Sequence, residues 1–241
     1  MNAQYTFETF VSGASNSLAL KLARAAADAP AAPLAPVYLH GPAACGKSHL
    51  LYAVKNRISR NFPEMRVICI KCDDFTGELI QSMRHGHTRD FRESYRKADV
   101  LLMDDIQFLE GKEATQQEFL TLFHILLDSG KQVVLTSTRP LEKLPILKEA
   151  ALFAEAEILP PDLETKLAAA SCKATEYKLT LSEAVLLYLA NQADNIRQIE
   201  GALKRILVHR ELGSFGFTQA NILKMLEEEW LPTIQKTPIV F

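Results

Sequence analysis

The sequence predicts an α/β fold in which a parallel β-sheet is flanked by helices and followed by a small helical bundle. Short β-like runs alternate with helical patterns up to residue 160, and this alternation is typical of a parallel sheet. Two prolines cannot continue a strand ladder, and beyond Pro160-Pro161 the pattern is purely helical. We therefore expect an α/β core at residues 1–160 and a helical bundle at residues 161–241.

The strands are predicted from short runs of apolar residues. They lie at residues 37–40, 66–71, 100–104, 132–136 and 155–159. The first strand leads into a helix, because the apolar residues between positions 50 and 58 are spaced to line one face. A further helix is predicted at residues 113–128, where Phe119, Leu122 and Phe123 recur at the spacing of a buried stripe.

Four helices are predicted in the bundle from their N-cap residues, whose side chains accept hydrogen bonds from the first free N–H groups. The caps are Asp162 for the first helix, Thr180 or Ser182 for the second, Asp194 for the third and Thr218 for the last. These helices are expected to end near residues 176, 193, 211 and 230.

Composition excludes several classes of protein. Hydrophobic residues make up 48% of the chain, enough for a core, and a formal charge of −2 gives no global attraction to nucleic acid. No apolar run approaches the ~20 residues that span a bilayer, and the N-terminal residues lack the pattern of a signal peptide. We expect a cytoplasmic protein without membrane contact, with its four cysteines reduced.

Residues 41–48 form a complete phosphate-loop pattern, Gly-Pro-Ala-Ala-Cys-Gly-Lys-Ser, between a predicted strand and a predicted helix. In such a loop, backbone N–H groups and the positive end of the helix dipole bind phosphates, while the lysine adds a positive charge. The alternative, a glycine turn before a helix with an exposed lysine, requires residue type, spacing and both flanks to agree by chance. The sequence therefore predicts a nucleoside triphosphate site, formed by Gly41, Ala44, Cys45, Gly46, Lys47, Ser48 and His49.

A cysteine within this loop raises a second question. A helix N-terminus lowers the pKa of a thiol, and an oxidised Cys45 would obstruct phosphates. The alternative interpretation is that Cys45 is simply a small residue that the loop tolerates.

The second half of the predicted site is an acidic strand end. The apolar run at residues 100–104 finishes in Asp104 and Asp105. Asp104 is expected to hold Mg²⁺ together with the Ser48 hydroxyl, and Asp105 to polarise the attacking water. The alternative is an ordinary strand-ending turn, in which aspartate is common.

Two further residues are candidates for contact with the nucleotide. Thr138 follows the strand at residues 132–136, and we expect that strand end to lie between the other two. Arg197 begins a bundle helix, where it is either a sensor of the nucleotide phosphates or a solvated arginine in a first helical turn.

Several groups of residues together resemble the AAA+ module of the bacterial replication initiator DnaA. They are Tyr5 to Gly13, the phosphate loop, Asp90-Phe91-Arg92 with Tyr95-Arg96, Asp104 to Leu109 with Gly111-Lys112-Glu113, Pro160 to Thr165, and Asn195-Ile196-Arg197 with Glu200 to Leu203. The resemblance spans residues 5–226 and implies a P-loop AAA+ core with a five-stranded parallel sheet and a C-terminal helical lid.

The resemblance also implies ligands and roles. ATP or ADP would bind with Mg²⁺, and Phe7, Phe10 and Val11 would border the adenine pocket. Asp104 would serve Mg²⁺, and Arg197 would be the second sensor. The family assembles at the replication origin in an ATP-dependent manner, and slow hydrolysis resets this switch.

The sequence departs from the family in ways that change the expected function. The chain stops at Phe241, too early for the helix-turn-helix domain that reads origin boxes, so no sequence-specific binding of duplex DNA is expected. No arginine occurs between Arg139 and Arg197, where the family carries one that acts on the neighbour's ATP, and Lys148 lacks the planar fork to replace it. Thr138 stands where the family usually has an acid.

These observations predict a DnaA-like, ATP-binding regulator or accessory factor of replication initiation. The expected partner is a full-length DnaA-type initiator or another AAA+ replication protein, and the expected hydrolysis is slow. The alternative is a nucleotide-gated binding module that recruits a helicase or another partner without significant turnover. A small-molecule kinase is disfavoured by the helical bundle and by the position of Arg197.

Two further contacts stay open. A basic segment before the acidic strand is either a weak single-stranded DNA contact or a solvated, salt-bridged helix face. Its cations are Arg84, His85, His87, Arg89, Arg92, Arg96 and Lys97. A sliding clamp is a further candidate partner, because residues 234–241 contain a glutamine and terminal hydrophobic residues, although at irregular spacing.

Overall fold

The computed structural model describes residues 4–32, 35–213 and 217–234 of the chain. It divides into two compact units, residues 1–160 and residues 161–241. Among the described residues, no helix combines the length and the apolarity needed to cross a membrane.

The first unit is built on a five-stranded sheet in which every pairing is parallel. The strands are β1 (Val37–His40), β2 (Val67–Lys71), β3 (Val100–Asp104), β4 (Gln132–Ser137) and β5 (Ala154–Glu157). Their order across the sheet is β2-β3-β4-β1-β5. The predicted α/β class with a five-stranded parallel sheet is confirmed, and β4 lies between β1 and β3 as expected.

The last strand begins and ends earlier than the predicted 155–159. Its ladder with β1 closes where the Ile158 N–H donates to the His40 carbonyl at 2.7 Å. The next N–H, that of Leu159, donates to the Ser15 carbonyl at 3.0 Å. The chain therefore leaves the sheet before Pro160, because its backbone bonds turn to the N-terminal segment.

Helices cover both faces of this sheet. They are α1 (Ser17–Asp28), α2 (Lys47–Asn61), α3 (Cys72–Arg84), α4 (Thr88–Arg96), α5 (Glu113–Asp128) and the short α6 (Pro145–Lys148). One core cluster joins α1 and α2 to the sheet, and a second joins α3, α4 and α5 to its other face. The stripe predicted on α5 is buried in the second cluster.

The second unit contains α7 (Leu163–Glu176), α8 (Glu183–Gln192), α9 (Ile196–Leu212) and α10 (Gln219–Ile234). Asp162 caps α7, since its carboxylate accepts from the Thr165 N–H at 2.8 Å. Of the two residues proposed to cap α8, Ser182 does so, and its hydroxyl accepts from the Val185 N–H.

The predicted cap of α9 was wrong by one residue. Asn195, not Asp194, accepts from the Gln198 N–H at 3.1 Å. The cap must stand three residues before the N–H it serves, and Asp194 is one residue too early. Asp194 instead exchanges two hydrogen bonds with the Gln198 side chain, at 2.7 and 3.2 Å.

Candidate nucleotide-binding site

The phosphate loop joins the buried strand β1 to the first turn of α2, as the pattern predicts. Gly41, Ala44 and Gly46 all adopt positive φ angles, of 150°, 61° and 108°. A Cβ on Gly41 would lie 2.1 Å from the Ile158 carbonyl oxygen, so only glycine fits there. The N-cap residue of α2 is Gly46, which has no side chain to cap the helix, so the first N–H groups of α2 are available to an anion.

The side chain of Lys47 lies inside the loop. Its ammonium donates to the Gly41 carbonyl at 2.9 Å and to the Pro42 carbonyl at 2.7 Å, and only 5% of the residue is exposed. A buried ammonium is costly unless its donors are used. The loop therefore places one positive charge at the point where the backbone turns into α2.

Ser48 and Asp104 come together from separate elements. The Ser48 hydroxyl, in the first turn of α2, donates to Asp104 Oδ2 at 2.7 Å. Asp104 ends β3 and is 3% exposed. A hydroxyl and a carboxylate are hard oxygen ligands of the kind that Mg²⁺ takes, with phosphates and water completing its shell. Among the described residues, no group of three or more His, Cys, Asp or Glu side chains would hold a metal by itself.

Sequence reasoning missed Thr136, which holds both acids in place. This residue of β4 is fully buried, and its hydroxyl donates to Asp104 Oδ1. The same hydroxyl accepts from the Asp105 N–H at 3.0 Å. The contact exists because β3 and β4 are neighbours in the sheet. In the sequence, only the predicted strand order could have indicated that Thr136 lies next to the two acids.

Asp105 is held in an unusual backbone conformation, with φ 59° and ψ 48°. Its carboxylate accepts from the Gln107 side-chain amide at 3.1 Å. The Oε1 atom of the same Gln107 side chain accepts in turn from the Thr138 N–H at 3.1 Å. Gln107, to which the sequence assigned no role, thus bridges the ends of β3 and β4.

Thr138 itself lies at the edge of the phosphate loop. It is exposed and lines a cleft of about 510 Å³ together with Gly41 and Pro42. The hydroxyl that contacts Asp104 belongs to Thr136, two residues earlier. The predicted contact of Thr138 with the nucleotide stays a prediction.

The N-terminal segment packs against the start of α2. The His49 side chain donates to the Thr6 carbonyl at 2.9 Å, and the Phe10 ring meets the His49 ring edge-on at 5.2 Å between centroids. Phe10 also limits the space over Gly46, where an added Cβ would lie 3.0 Å from its ring. Phe10 and His49 therefore stand beside the loop.

The other two residues expected at an adenine pocket differ from Phe10 in their surroundings. Phe7 is 5% exposed and lies in the core cluster of α1 and α2, with the Arg24 guanidinium 5.6 Å from its ring centre. Val11 is half-buried, and its carbonyl accepts from the Asn16 amide at 3.0 Å. Phe7 thus anchors the segment in the core.

The thiol of Cys45 is shielded within the loop. The residue is 7% exposed, and burial raises its pKa above the ordinary value although Lys47 acts in the opposite direction. A protonated thiol is a poor nucleophile and oxidises slowly. These surroundings favour the interpretation of Cys45 as a tolerated small residue over that of a redox switch.

Arg197 belongs to the second unit. It is exposed in the first turn of α9, two residues after the Asn195 cap. Its proposed role as a sensor stays a prediction.

Comparison with known proteins gives one consistent result. A family model described as "Bacterial DnaA ATPAse domain" matches residues 1–152, which is more than half of the chain. The chromosomal replication initiator protein DnaA of one Thermus thermophilus strain is 39% identical over 239 residues, which cover 96% of this chain and 55% of that protein. The chain thus spans about half the length of the curated relatives it matches.

Comparison with solved structures also finds DnaA proteins. Domain III of Thermotoga maritima DnaA matches with a TM-score of 0.87 and 35% identity, covering 93% of this chain and 96% of that one. AMPPCP-bound DnaA from Aquifex aeolicus matches with a TM-score of 0.76 and 34% identity, covering 85% and 65%. A replication initiator DnaA bound to AMPPCP and single-stranded DNA matches at 0.79 and 32%, covering 94% and 68%. With a phosphate loop, a buried strand-end aspartate and these similarities, the chain belongs to the bacterial DnaA ATPase-domain family.

Proposed function

We propose that this chain binds ATP or ADP with Mg²⁺ at residues 41–48 and acts as a nucleotide-dependent regulator or accessory factor of replication initiation. The observation that carries the proposal is the 2.7 Å hydrogen bond from Ser48 to Asp104, which brings the first turn of α2 and the acidic end of β3 to one point. The similarity to initiators that were solved with AMPPCP supports it.

Each part of the site has a separate task in this proposal. The free N–H groups at the start of α2 bind phosphate oxygens, and Lys47 exchanges its two carbonyl acceptors for the outer phosphates. Ser48 and Asp104 would hold Mg²⁺, which would neutralise part of the phosphate charge. Phe10 and His49 border the adenine, and Phe7 and Val11 fix the segment that carries Phe10.

The test is equilibrium binding of a fluorescent ATP analogue, with Mg²⁺ and with EDTA. We expect Lys47→Ala to weaken binding at least tenfold, and Asp104→Asn to remove most of the Mg²⁺ dependence. Lys21→Ala is the matched control, because Lys21 is an exposed lysine of α1 outside the site. Equal affinity of the wild type and Lys47→Ala would overturn the proposal.

Assembly with a partner is the second part of the proposal. The expected partner is a full-length DnaA-type initiator or another AAA+ replication protein. Size-exclusion chromatography with ATP and with ADP, each with and without the initiator, tests it. We expect a complex whose amount depends on the nucleotide, and a complex that forms equally with either nucleotide would contradict the switch.

Hydrolysis is expected to be slow. Asp105 is the candidate to polarise water, and Gln107 fixes its carboxylate. No arginine lies between Arg139 and Arg197, and Lys148, the exposed last residue of α6, is the cation in the corresponding stretch. An arginine finger contributes ~10³ or more in rate, so turnover between copies of this chain should be low.

The alternative function is a nucleotide-gated binding module without significant turnover, which recruits a helicase or another partner. The missing arginine favours it. Multiple-turnover hydrolysis with and without a full-length initiator separates the two hypotheses, and Lys47→Ala measures the background. Turnover stimulated by the initiator supports the regulator, and its absence supports the module.

Single-stranded DNA is a second candidate ligand, because a relative was solved with it. In the basic segment, Arg92 forms two hydrogen bonds to Glu118, at 2.5 and 2.7 Å, and Arg96 pairs with Glu93. Within the described residues, Arg84, Arg89 and Lys97 form no salt bridge. These three are the cations to test, since removal of Arg92 would also break a structural pair.

The measurement is the affinity for an oligo-dT strand at several salt concentrations. Replacing Arg84, Arg89 and Lys97 by Ala should lower the affinity and reduce the salt slope by about 0.7 per lost phosphate contact. Lys21→Ala, on the other face of the sheet, is the control. An unchanged slope would exclude the contact.

The sliding clamp remains a candidate partner only through the sequence of residues 234–241. Residues 235–241 lie outside the described part of the chain. Truncation after Ile234, followed by a clamp-binding measurement, tests this suggestion.

A further inference from the structure

The outer edge of the sheet at β2 differs from the interior strands. All residues of β1, β3 and β4 are buried, whereas residues 67–70 are half-buried and Lys71 is exposed. Because β2 is the first strand in the sheet order, its outward backbone groups have no strand partner within the described residues. An apolar edge of this kind is a template for an added strand.

The opposite edge of the sheet is protected. Strand β5 reads Ala-Glu-Ala-Glu, and two prolines follow it at residues 160–161. Charged side chains and prolines discourage the addition of a strand. Strand β2 contains no proline, and its one charged residue is the terminal Lys71, after Val-Ile-Cys-Ile.

A cleft of about 700 Å³ runs along β2. One wall is Tyr52 of α2, and the other is formed by α3 and α4. Helix α3 contributes a stripe of exposed residues to this wall, at the spacing i, i+3, i+4 and i+7. They are Asp74, Gly77, Glu78 and Gln81. Four of the five residues of β2, from Ile68 to Lys71, line the cleft, and at about 3.3 Å per residue they offer room for a short extended peptide.

Gly77 keeps this wall open. A glycine inside a helix costs about 1 kcal/mol relative to alanine. A Cβ at Gly77 would meet nothing within 4 Å, so packing within the chain does not require a glycine. Because glycine has no side chain, Gly77 leaves space at the middle of the stripe.

The negative charge of the cleft indicates what kind of molecule binds there. Its lining carries three carboxylates, Asp73, Asp74 and Glu78, against the single cation Lys71 among the lining residues described. Asp73 pairs with Lys112 at 3.2 Å, and Glu78 accepts from the Tyr95 hydroxyl at 2.7 Å. Asp74 forms no salt bridge in the described part of the chain. This surface favours Lys or Arg side chains and repels the phosphates of nucleic acid.

We propose that β2 and this cleft bind an extended segment of a partner protein as a sixth strand. The segment pairs its backbone with the outer edge of β2 and packs apolar side chains beside Ile68 and Ile70. Its Lys or Arg side chains reach Asp74 and Glu78, while Gly77 admits its backbone.

The probe is a fluorescein-labelled seven-residue peptide of alternating lysine and valine, titrated into the full chain. We expect saturable binding, and slower hydrogen exchange at alternate amides of β2. Gly77→Met, which fills the cleft with a good helix former, and Asp74→Lys should each weaken binding at least about tenfold. Asp128→Lys, an equal charge change at the exposed end of α5, should leave it unchanged within about twofold.

Thermal unfolding separates blocked binding from misfolding. Gly77→Ala and Gly77→Met should unfold at or above the wild-type temperature, because both residues favour the helix over glycine. Binding of the ATP analogue should be unaffected in every variant, which keeps this test independent of the nucleotide site.

Three results would overturn the proposal. One is undiminished peptide binding by Gly77→Met or by Asp74→Lys. Another is equal binding of a peptide with proline at alternate positions, which cannot pair as a strand. The third is a dimer in sedimentation velocity that Gly77→Met abolishes, since the occupant would then be a second copy of this chain.

Discussion

At the scale of single residues, the buried hydroxyl of Thr136 determines how two acids are presented. It donates to Asp104 and accepts from the Asp105 N–H, so both acids depend on one side chain of the neighbouring strand. Valine has nearly the same shape as threonine but lacks the hydroxyl. The two roles of this side chain can therefore be removed without creating a cavity.

We predict that Thr136→Val lowers the free energy of unfolding by about 1–3 kcal/mol, because the buried Asp104 carboxylate and the half-buried Asp105 N–H each lose a hydrogen bond. It should also weaken the Mg²⁺-dependent binding of ATP, since Asp104 loses a fixed orientation. Chemical denaturation and analogue binding measure the two effects. Thr136→Ser, which keeps the hydroxyl, is the control, and equal losses in both variants would contradict the role given to the hydroxyl.

The thiols give a prediction about reactivity and pH. Burial raises the pKa of Cys45, that of Cys69 to about 11 and that of Cys72 to about 12. All three are therefore protonated at pH 7.5, and alkylation by iodoacetamide should be slow and should accelerate as the pH rises. Peroxide should leave nucleotide binding unchanged, as in a Cys45→Ser variant. Rapid modification of Cys45 at pH 7.5, detected by mass spectrometry, would restore the redox hypothesis.

At the scale of elements, helix caps and strand-end contacts set where each element begins. The Asn195 side chain caps α9. Asp194, which precedes the cap, bonds to the side chain of Gln198 and not to a free N–H group of the helix. The two neighbouring residues thus form a natural pair for comparison.

We predict that Asn195→Ala lowers the free energy of unfolding of the second unit by about 1 kcal/mol, the usual contribution of a cap. Asp194→Ala should cost less, because one of its two bonds to Gln198 is donated by the Asp194 backbone N–H, which alanine keeps. Denaturation followed by circular dichroism measures both. A larger loss for Asp194→Ala would mean that the cap is assigned to the wrong residue.

Asp99 joins the starts of three strands. Its carboxylate accepts from Lys131, before β4, at 2.5 Å and from the Arg66 N–H, before β2, at 2.9 Å, while Asp99 itself precedes β3. The hydrogen bond from Lys131, then that from Arg66, holds the pKa of Asp99 below its ordinary value.

The sign of the pH dependence follows. A folded-state pKa below the unfolded value stabilises the protein above the unfolded pKa, about 3.9, and this contribution is lost as the pH falls further. We predict that Asp99→Asn is less stable at pH 7 and loses less stability between about pH 5 and pH 2. Unfolding at several pH values measures this, with Asp128→Asn as control. Parallel curves for Asp99→Asn and wild type would contradict it.

The sequence predicted those features whose residues are close together or regularly spaced along the chain. The phosphate loop, Asp104 and the stripe on α5 are contiguous or periodic, so they were found directly. Thr136 and Gln107 act across neighbouring strands, and no spacing along the chain reveals which hydroxyl or amide faces an acid. The cap of α9 was missed because Asp194 and Asn195 are both good caps, and only the register of the first turn separates them.

At the scale of the whole molecule, the proposed ATP hydrolysis would depend on a positive charge supplied by a neighbouring chain. The chain carries the residues proposed to bind a nucleotide, but Lys148 stands in the stretch where the family carries an arginine. Restoring the arginine therefore tests whether assembled copies present this stretch to each other.

We predict that Lys148→Arg raises ATP turnover at protein concentrations where the chain assembles, and leaves turnover unchanged in dilute solution. The planar guanidinium can contact two phosphate oxygens where an ammonium acts as a point charge. Lys143→Arg, an exposed lysine nearby, is the control. A similar increase in both variants, or none in Lys148→Arg at any concentration, would contradict this role.

The sheet order has a consequence for synthesis on the ribosome. Strand β1 carries the phosphate loop and emerges early, but in the sheet it lies between β4 and β5, which are made much later. At 5–20 residues per second, roughly ten seconds separate the appearance of His40 from that of its partner Ser137. During this interval the nascent loop has no strand on either side, so we expect nucleotide to assist folding only after β4 is inserted.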